Sequence, residues 1–180
     1  MSLIEIGAVV FSFLSVVMAV KKSLLTWIFG ILGIVFYGVL FFEKEIYSNL
    51  LLQMIFLLQS FVGLYEWKSN TSKGEVIVTK MNKKEWISYL ATLNLLIIFM
   101  CLMFEKLDAI TTSVSLIANV LLMNRKLENW FFWIVADIVY IIMFIEQKLY
   151  LSSGLYFIFL ITCILGYYKW KKKLNGTNLS

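Results

Sequence analysis

The sequence of 180 residues contains no histidine, no proline and only two cysteines. The absence of histidine excludes imidazole metal sites, histidine general bases and Ser-His catalytic triads. Cys101 and Cys163 both lie inside apolar runs, so we interpret them as small packed residues and expect neither a disulfide nor a metal pair. Broken-helix transporters usually interrupt their helices with glycine or proline, so the lack of proline argues against that architecture.

Charged residues are also few, at 15% of the chain, whereas 61% of the residues are hydrophobic. Together with a mean hydropathy of +0.86, this composition predicts a multi-pass helical membrane protein without room for a separate soluble domain. The first residues, "MSLIEIG", include an acid and no Lys or Arg. Because a secretory signal needs a positive start, we expect the first apolar run to be a retained helix.

The apolar runs predict an all-α protein with seven transmembrane helices, since a span needs about 20 residues and fewer where polar residues line an interior. The predicted spans are Ile4–Val20, Leu24–Phe42, Tyr47–Trp67, Trp86–Phe104, Ala109–Met123, Asn129–Ile145 and Tyr150–Trp170. The fifth is the shortest and most polar, so we expect it to face protein or water. The long connection, 68–85, is predicted to be a solvated loop with a strand-like piece at Val76–Thr79.

The basic residues are distributed unevenly between the two sides of the predicted bundle. Thirteen of the 16 lie in connections on one side, and Lys44, Lys106 and Lys148 lie on the other. Because cytoplasmic loops are enriched in Lys and Arg, this bias predicts an outer N-terminus and a cytoplasmic C-terminus. The net charge of +5 therefore indicates topology, and no nucleic-acid partner is expected.

The sequence repeats itself at an offset of 103 residues. Several uncommon residue types recur at this offset: Trp27 and Trp130, Tyr37 and Tyr140, Glu43 and Glu146, Gly63 and Gly166, Trp67 and Trp170. With one residue of slip, Lys21–Lys22 matches Arg125–Lys126. Within one membrane domain over residues 1–180, we predict three-helix repeats at about 4–68 and 108–171 and a linker helix at about 86–104. The first and fifth helices are four crossings apart, so the repeats run parallel, as in transporters that bind substrate between two halves.

One acidic residue stands inside an otherwise apolar predicted helix. Asp137 shares a helix face with Trp130, Trp133 and Tyr140. A carboxylate near the bilayer centre costs at least ~2.5–3.5 kcal/mol, so it should face a cavity and have a partner, yet no Lys or Arg lies in a predicted span. Asp137 could be a protonated structural donor or a proton relay, or its partner could arrive with the substrate. The last interpretation suits a flat organic cation, which the tryptophans would stack.

Other polar residues lie in the third and fifth predicted helices. Ser115 and Asn119 share one face of the fifth helix, and Gln53 and Ser60 share one face of the third. We treat all four as candidate substrate-binding residues, with interhelical hydrogen bonding as an equally good interpretation for Asn119, Gln53 and Ser60.

The tryptophans near span ends have a further interpretation as interfacial anchors. We expect this role for Trp67 and Trp170. Trp130 could be either an anchor or a ligand contact, and Trp133 is the better candidate for a ligand contact.

Two stretches resemble the PnuC-type vitamin transporters, a family of nicotinamide riboside transporters with thiamine- and riboflavin-carrying relatives. They are "LLTWIFGILGIVFYGVLFFEKEIYSNLLLQMIFLLQSFVGLYEW" and "SLIANVLLMNRKLENWFFWIVADIVYIIMFIEQKLYLSSGLYFIFLITCILGYYKW". The likeness covers nearly the whole chain, and the WxxW of Trp130 and Trp133 is its most specific element.

This resemblance implies a three-plus-one-plus-three helix fold with SWEET-like repeats, and a homotrimer in the lipid bilayer of a bacterial inner membrane. It implies facilitated uptake of a small-molecule vitamin, trapped inside by phosphorylation, and no cofactor. Trp130 and Trp133 would stack the substrate ring. Riboside-type members typically carry Asn where this chain has Asp137. Nicotinamide riboside and thiamine are cations and suit Asp137 better than neutral riboflavin, so nicotinamide riboside is the main prediction and thiamine the alternative.

A membrane enzyme and a receptor or scaffold are the competing classes. An enzyme would need a nucleophile or an acid–base constellation, and no two acids share the apolar core. We therefore predict a transporter that is not an enzyme. Its candidate substrate-binding residues are Trp130, Trp133, Asp137, Tyr140, Asn119, Gln53, Ser60 and Ser115.

Overall fold

Seven helices and one short hairpin make up the computed structural model, which describes residues 3–43, 47–69, 71–72, 75–102, 104–146, 148 and 150–177. The helices are α1 Leu3–Val20, α2 Leu25–Glu43, α3 Tyr47–Ser69, α4 Lys83–Met100, α5 Lys106–Met123, α6 Asn129–Glu146 and α7 Tyr150–Thr177. Two strands, β1 Thr71–Ser72 and β2 Glu75–Val76, pair antiparallel. The prediction of an all-helical membrane protein is confirmed.

Six of the described helices are long and apolar enough to cross a membrane, judged by length and composition. The exception is α4, because its 18 residues include Lys83, Lys84 and Glu85 in the first turn. These charges leave a short apolar run from Trp86 to Met100. A multi-pass arrangement is therefore supported, and a seventh crossing by α4 stays a prediction.

The bounds of α4 and α7 differ most from the prediction. Helix α4 starts at Lys83 because Asn82 caps it: the Asn82 side chain accepts from the Glu85 N–H at 2.9 Å, and the Glu85 carboxylate accepts from the Asn82 N–H at 2.8 Å. Helix α7 continues past Trp170 to Thr177, through the lysine-rich segment. A long lysine side chain is a good helix former, so the end of the apolar run did not mark the end of the helix.

The contacts divide the chain into two compact units, which we call unit 1 (Met1–Ile77) and unit 2 (Val78–Ser180). In unit 1, α2 packs against α1 and α3; in unit 2, α6 packs against α5 and α7, and α4 packs on α5. Helices α1 and α5 begin and end 103 residues apart, at Leu3 and Lys106 and at Val20 and Met123. The first helix of each predicted repeat therefore has the same length and the same place in its repeat.

The turn between α1 and α2 has the same backbone conformation as the turn between α5 and α6. Lys22 in unit 1 and Arg125 in unit 2 both have a φ of 56°, in the left-handed region. The Lys22 N–H donates to the Ala19 carbonyl, and the Arg125 N–H donates to the Leu122 carbonyl, both at 2.9 Å. These pairs are 103 residues apart, so the one-residue slip that we predicted at this turn is wrong.

In unit 2, a pair of tryptophans seated on a glycine joins α6 to α7. The rings of Trp130 and Trp170 meet edge to face, with centroids 5.4 Å apart at an interplanar angle of 89°. A Cβ atom added to Gly166 would lie 2.7 Å from the Trp130 ring, so only glycine lets the ring approach α7 this closely. Aromatic packing of this kind stabilises the contact beyond the area it buries.

Unit 1 contains the same arrangement between α2 and α3. Trp27 and Trp67 meet edge to face at 5.5 Å and 90°, with Trp27 seated on Gly63. Trp67 and its counterpart Trp170 are both 0% exposed. The prediction that Trp67 and Trp170 are interfacial anchors is therefore wrong, because both rings are buried in contacts between helices.

The end of the long connection is tied to the turn between α5 and α6. Thr79 forms an isolated parallel bridge with Lys126, and both oxygens of the Glu128 carboxylate lie 3.1 Å from the Met81 N–H that donates to them. Lys126 Nζ lies 2.6 Å from Glu85 Oε1. The hydrogen bond from Lys126 holds the pKa of the Glu85 carboxyl, which precedes the apolar run of α4, below its ordinary value. The N-terminus of α4 is thus fixed to the turn that leads into α6.

Replacing Gly166 with alanine should destabilise the protein, whereas Gly154→Ala on the same helix should not. The new Cβ at position 166 would overlap a Trp130 ring that Trp170 holds in place, and such overpacking costs about 1–3 kcal/mol. No atom lies within 4 Å of the equivalent Cβ at position 154, where alanine gains up to about 1 kcal/mol of helix propensity. Thermal unfolding in detergent should show a lower Tm for Gly166→Ala alone. Equal Tm values would contradict this account of the Trp130–Gly166 contact.

Candidate functional site

The most polar helix is also the most deeply buried. Within the apolar window of α5, 67% of the residues are buried, against at most 33% in the other candidate spans of the described chain. Every residue from Thr111 to Asn119 is buried. The prediction that the fifth helix faces protein and not lipid is confirmed. Polar groups placed this way avoid the cost of facing hydrocarbon.

Asp137, in the middle of α6, is a buried acid with an incomplete set of partners. Its side chain is 4% exposed, and its Oδ2 atom is buried without a hydrogen-bond partner among the described residues. The carboxylate accepts a hydrogen bond from the thiol of Cys163 on α7, which is 3% exposed. In the described part of the chain, no Lys or Arg forms an ion pair with it. One carboxylate oxygen is therefore left to be satisfied by something else.

Tyr140, one turn after Asp137, joins α6 to both neighbouring helices. Its hydroxyl group is hydrogen-bonded to the side chains of Thr111 and Ser115 on α5. Its ring lies 4.6 Å, between centroids, from the ring of Tyr156 on α7. The structure thus brings the candidates Ser115 and Tyr140 together, near the turn that carries Asp137, and their role in binding stays a prediction.

The two tryptophans of the WxxW sequence have different surroundings. Trp130 is 1% exposed and is enclosed by Gly166 and Trp170, so its faces are already occupied by α7. Trp133 is half-buried, and one side of it packs against the apolar cluster around Ala118 and Phe132. Of the two residues, Trp133 is the less buried and so is the better candidate for stacking on a ligand. Stacking by either ring stays a prediction.

The remaining candidates divide between the two units. Asn119 is 8% exposed and lies one turn after Ser115 on α5, in unit 2. Gln53 is half-buried and Ser60 is 3% exposed, both on α3 in unit 1. The Ser60 hydroxyl donates to the Phe56 carbonyl at 2.8 Å, a bond within its own helix. A joint role of these residues in one site stays a prediction.

Two residues beside Asp137 and Tyr140 were missed by the sequence analysis. Cys163 was interpreted only as a small packed residue, and Tyr156 was not considered. Both follow from the 103-residue offset, since Ser60 corresponds to Cys163 and Gln53 to Tyr156. Carrying the candidates of the first repeat onto the second would have identified both positions.

The arrangement in unit 2 suits an organic cation better than a metal or a covalent intermediate. An acid with one open oxygen, hydroxyl groups and partly exposed aromatic surface supply charge, hydrogen bonds and a stacking face. Among the described residues, no group of three His, Cys, Asp or Glu side chains could hold a metal ion. Groups of this kind can bind and release an organic cation.

Comparisons with known proteins agree over most of the chain. The model of a family described as "Nicotinamide mononucleotide transporter" matches residues 2–172. The nicotinamide riboside transporter PnuC of Haemophilus influenzae is 28% identical, over 92% of this chain and 77% of that protein. The protein of that name from Escherichia coli K12 is 22% identical, over 94% and 85%. A crystal structure of the vitamin B3 transporter PnuC matches with a TM-score of 0.78 at 22% identity, over 93% of this chain and 80% of that one.

Proposed function

Because the chain belongs to the nicotinamide mononucleotide transporter family, we propose that it carries nicotinamide riboside across the bacterial inner membrane by facilitated diffusion. The curated relatives are named as transporters of this riboside, and transport is not an enzymatic role. These names favour nicotinamide riboside over thiamine, the alternative cation.

The observation in this chain that supports the proposal is the Oδ2 atom of Asp137, which is buried and has no hydrogen-bond partner among the described residues. A carboxylate in this setting is costly unless a positive charge or a donor completes it. The nicotinamide ring of the riboside is a flat cation that can supply that charge, and Trp133 can cover one face of the ring. In this proposal, the hydroxyl group of Tyr140 and the side chain of Ser115 bind the ribose.

The finer features of the proposal follow the family resemblance. The substrate moves downhill and is retained inside by phosphorylation. The protein is a homotrimer of seven-span protomers with an outer N-terminus and a cytoplasmic C-terminus, and its two three-helix repeats run parallel. The uneven distribution of Lys and Arg supports this orientation.

Proteoliposomes that contain only this protein should take up labelled nicotinamide riboside without nucleotide or an imposed ion gradient. Uptake should stop when the inner and outer concentrations are equal, and enclosing a riboside kinase with ATP should raise total accumulation. Unlabelled nicotinamide riboside should compete better than thiamine. Accumulation above the outer concentration that depends on a proton gradient would contradict facilitated diffusion, and would favour a proton-relay role for Asp137.

Replacing Trp133 with alanine should weaken nicotinamide riboside binding by roughly 1–2 kcal/mol, because a desolvated stacking face is lost. Trp133→Phe keeps an aromatic face and should retain part of the affinity. Trp130→Ala is the comparison: it removes a fully packed ring and should mainly lower stability, by about 3–5 kcal/mol. Calorimetric binding and Tm, measured on all three variants, separate the two effects. Unchanged affinity in a folded Trp133→Ala protein would assign Trp133 to packing.

Asp137→Asn should weaken the binding of cationic nicotinamide riboside by about 2 kcal/mol or more, because the shape is kept and the counter-charge is lost. Its uncharged, reduced dihydropyridine analogue should be affected much less. Affinities of both ligands for the wild type and the variant provide the measurement. An equal loss for the two ligands would show that Asp137 acts only as a hydrogen-bonding or structural group.

A further inference from the structure

We propose that Cys163 is a positioning residue of the transport site, whose thiol orients the carboxylate of Asp137 so that its free oxygen meets the cationic ring of the substrate. This inference rests on the proposed function and adds a residue on α7 to it. It also gives a role to the buried cysteine, for which the sequence indicated only packing.

The first support is the set of contacts around the carboxylate. Asp137 and Cys163 are 4% and 3% exposed, and they belong to different helices that pack together. The thiol hydrogen bond engages the carboxylate, while Oδ2 is buried and unpartnered among the described residues. A carboxylate held by one donor has a preferred orientation, and its open oxygen then has a fixed direction. The Cys163 thiol therefore sets the direction in which the free oxygen of the Asp137 carboxylate points.

The second support is the difference between the two repeats. Ser60 occupies the position of Cys163 in the first repeat, and its hydroxyl donates to the Phe56 carbonyl of its own helix at 2.8 Å. The position of Asp137 is taken there by Ile34, which offers no acceptor. A hydroxyl group readily bonds back to the helix carbonyl four residues earlier, whereas a thiol is a weak donor. Cysteine at position 163 thus keeps its S–H available for the acid on α6.

The two cysteines allow a clean test. Cys101 is exposed at the end of α4, so Cys101→Ala gives a protein in which Cys163 is the only thiol. In this background we combine Cys163→Ala with Asp137→Asn in a double-mutant cycle and measure the affinity for nicotinamide riboside and for its neutral reduced analogue. Thr162→Ala is the matched control, because its hydroxyl is already bonded to the Ile158 carbonyl at 2.9 Å.

Cys163→Ala should weaken riboside binding about tenfold when Asp137 is present, as expected for loss of a hydrogen bond to a charged group. It should have little effect on the neutral analogue, and little further effect on the riboside once Asp137 is Asn. Thr162→Ala should bind like the parent. Additive losses, or equal losses for both ligands, would overturn the positioning role. Absence of riboside binding by the Cys101→Ala parent would refute the proposed function itself.

A second measurement leaves both Asp137 and Cys163 unchanged, so it does not depend on the folding of a variant at either position. In the Cys101→Ala protein, we measure the rate at which a small alkylating reagent modifies Cys163, with and without saturating nicotinamide riboside. A substrate seated beside the Asp137–Cys163 pair should slow the reaction several-fold. A rate that is the same with and without the riboside would remove Cys163 from the site.

Discussion

The structure of unit 2 is governed by the need to keep one carboxylate out of the hydrocarbon. An acid in the middle of a membrane helix is costly, and the cost falls only where protein or water replaces lipid. Asp137 meets this condition because α6 lies between α5 and α7 and turns the acid inward, to 4% exposure. The polar residues of α5 and the thiol of α7 surround the same turn. Their burial follows from the same constraint, since each would be costly against lipid.

The two repeats share a scaffold but not its polar chemistry. Both join the second and third helices by a buried tryptophan pair seated on a glycine. In the second helix of both, a tyrosine ring stacks on the ring of the phenylalanine four residues later, with centroids 5.8 Å apart in the first repeat and 6.1 Å apart in the second. Packing at these positions depends on shape, so the duplication preserves it. The acid is present in one copy only, because Ile34 takes its place in the other. The scaffold therefore tolerates a charge at this position without requiring one.

Hydropathy and periodicity predicted the helices well. They placed α1 and α5 to within three residues, predicted the burial of α5, and put Asp137 and Tyr140 on one face. Apolar content alone did not predict helix ends set by a cap or by lysines. Contacts between helices were harder to predict from the sequence. A tryptophan at the end of a span gives the same sequence pattern whether its ring contacts lipid headgroups or another ring. The burial of Trp170, and the pairing of Cys163 with Asp137, depend on the rotation of α7, which the sequence pattern leaves open.

A ligand with one charged ring and one ribose has no internal symmetry, so recognition does not need to be symmetric either. A second acid at the position of Ile34 would be another buried carboxylate in need of its own partner, and an unpaired buried charge is costly. Under the proposed function, the single acid at Asp137 is balanced by the single positive charge of nicotinamide riboside. Ile34 therefore avoids the cost of an unpaired carboxylate in the first repeat. One acid in the two repeats is the number that the proposed monovalent substrate can balance.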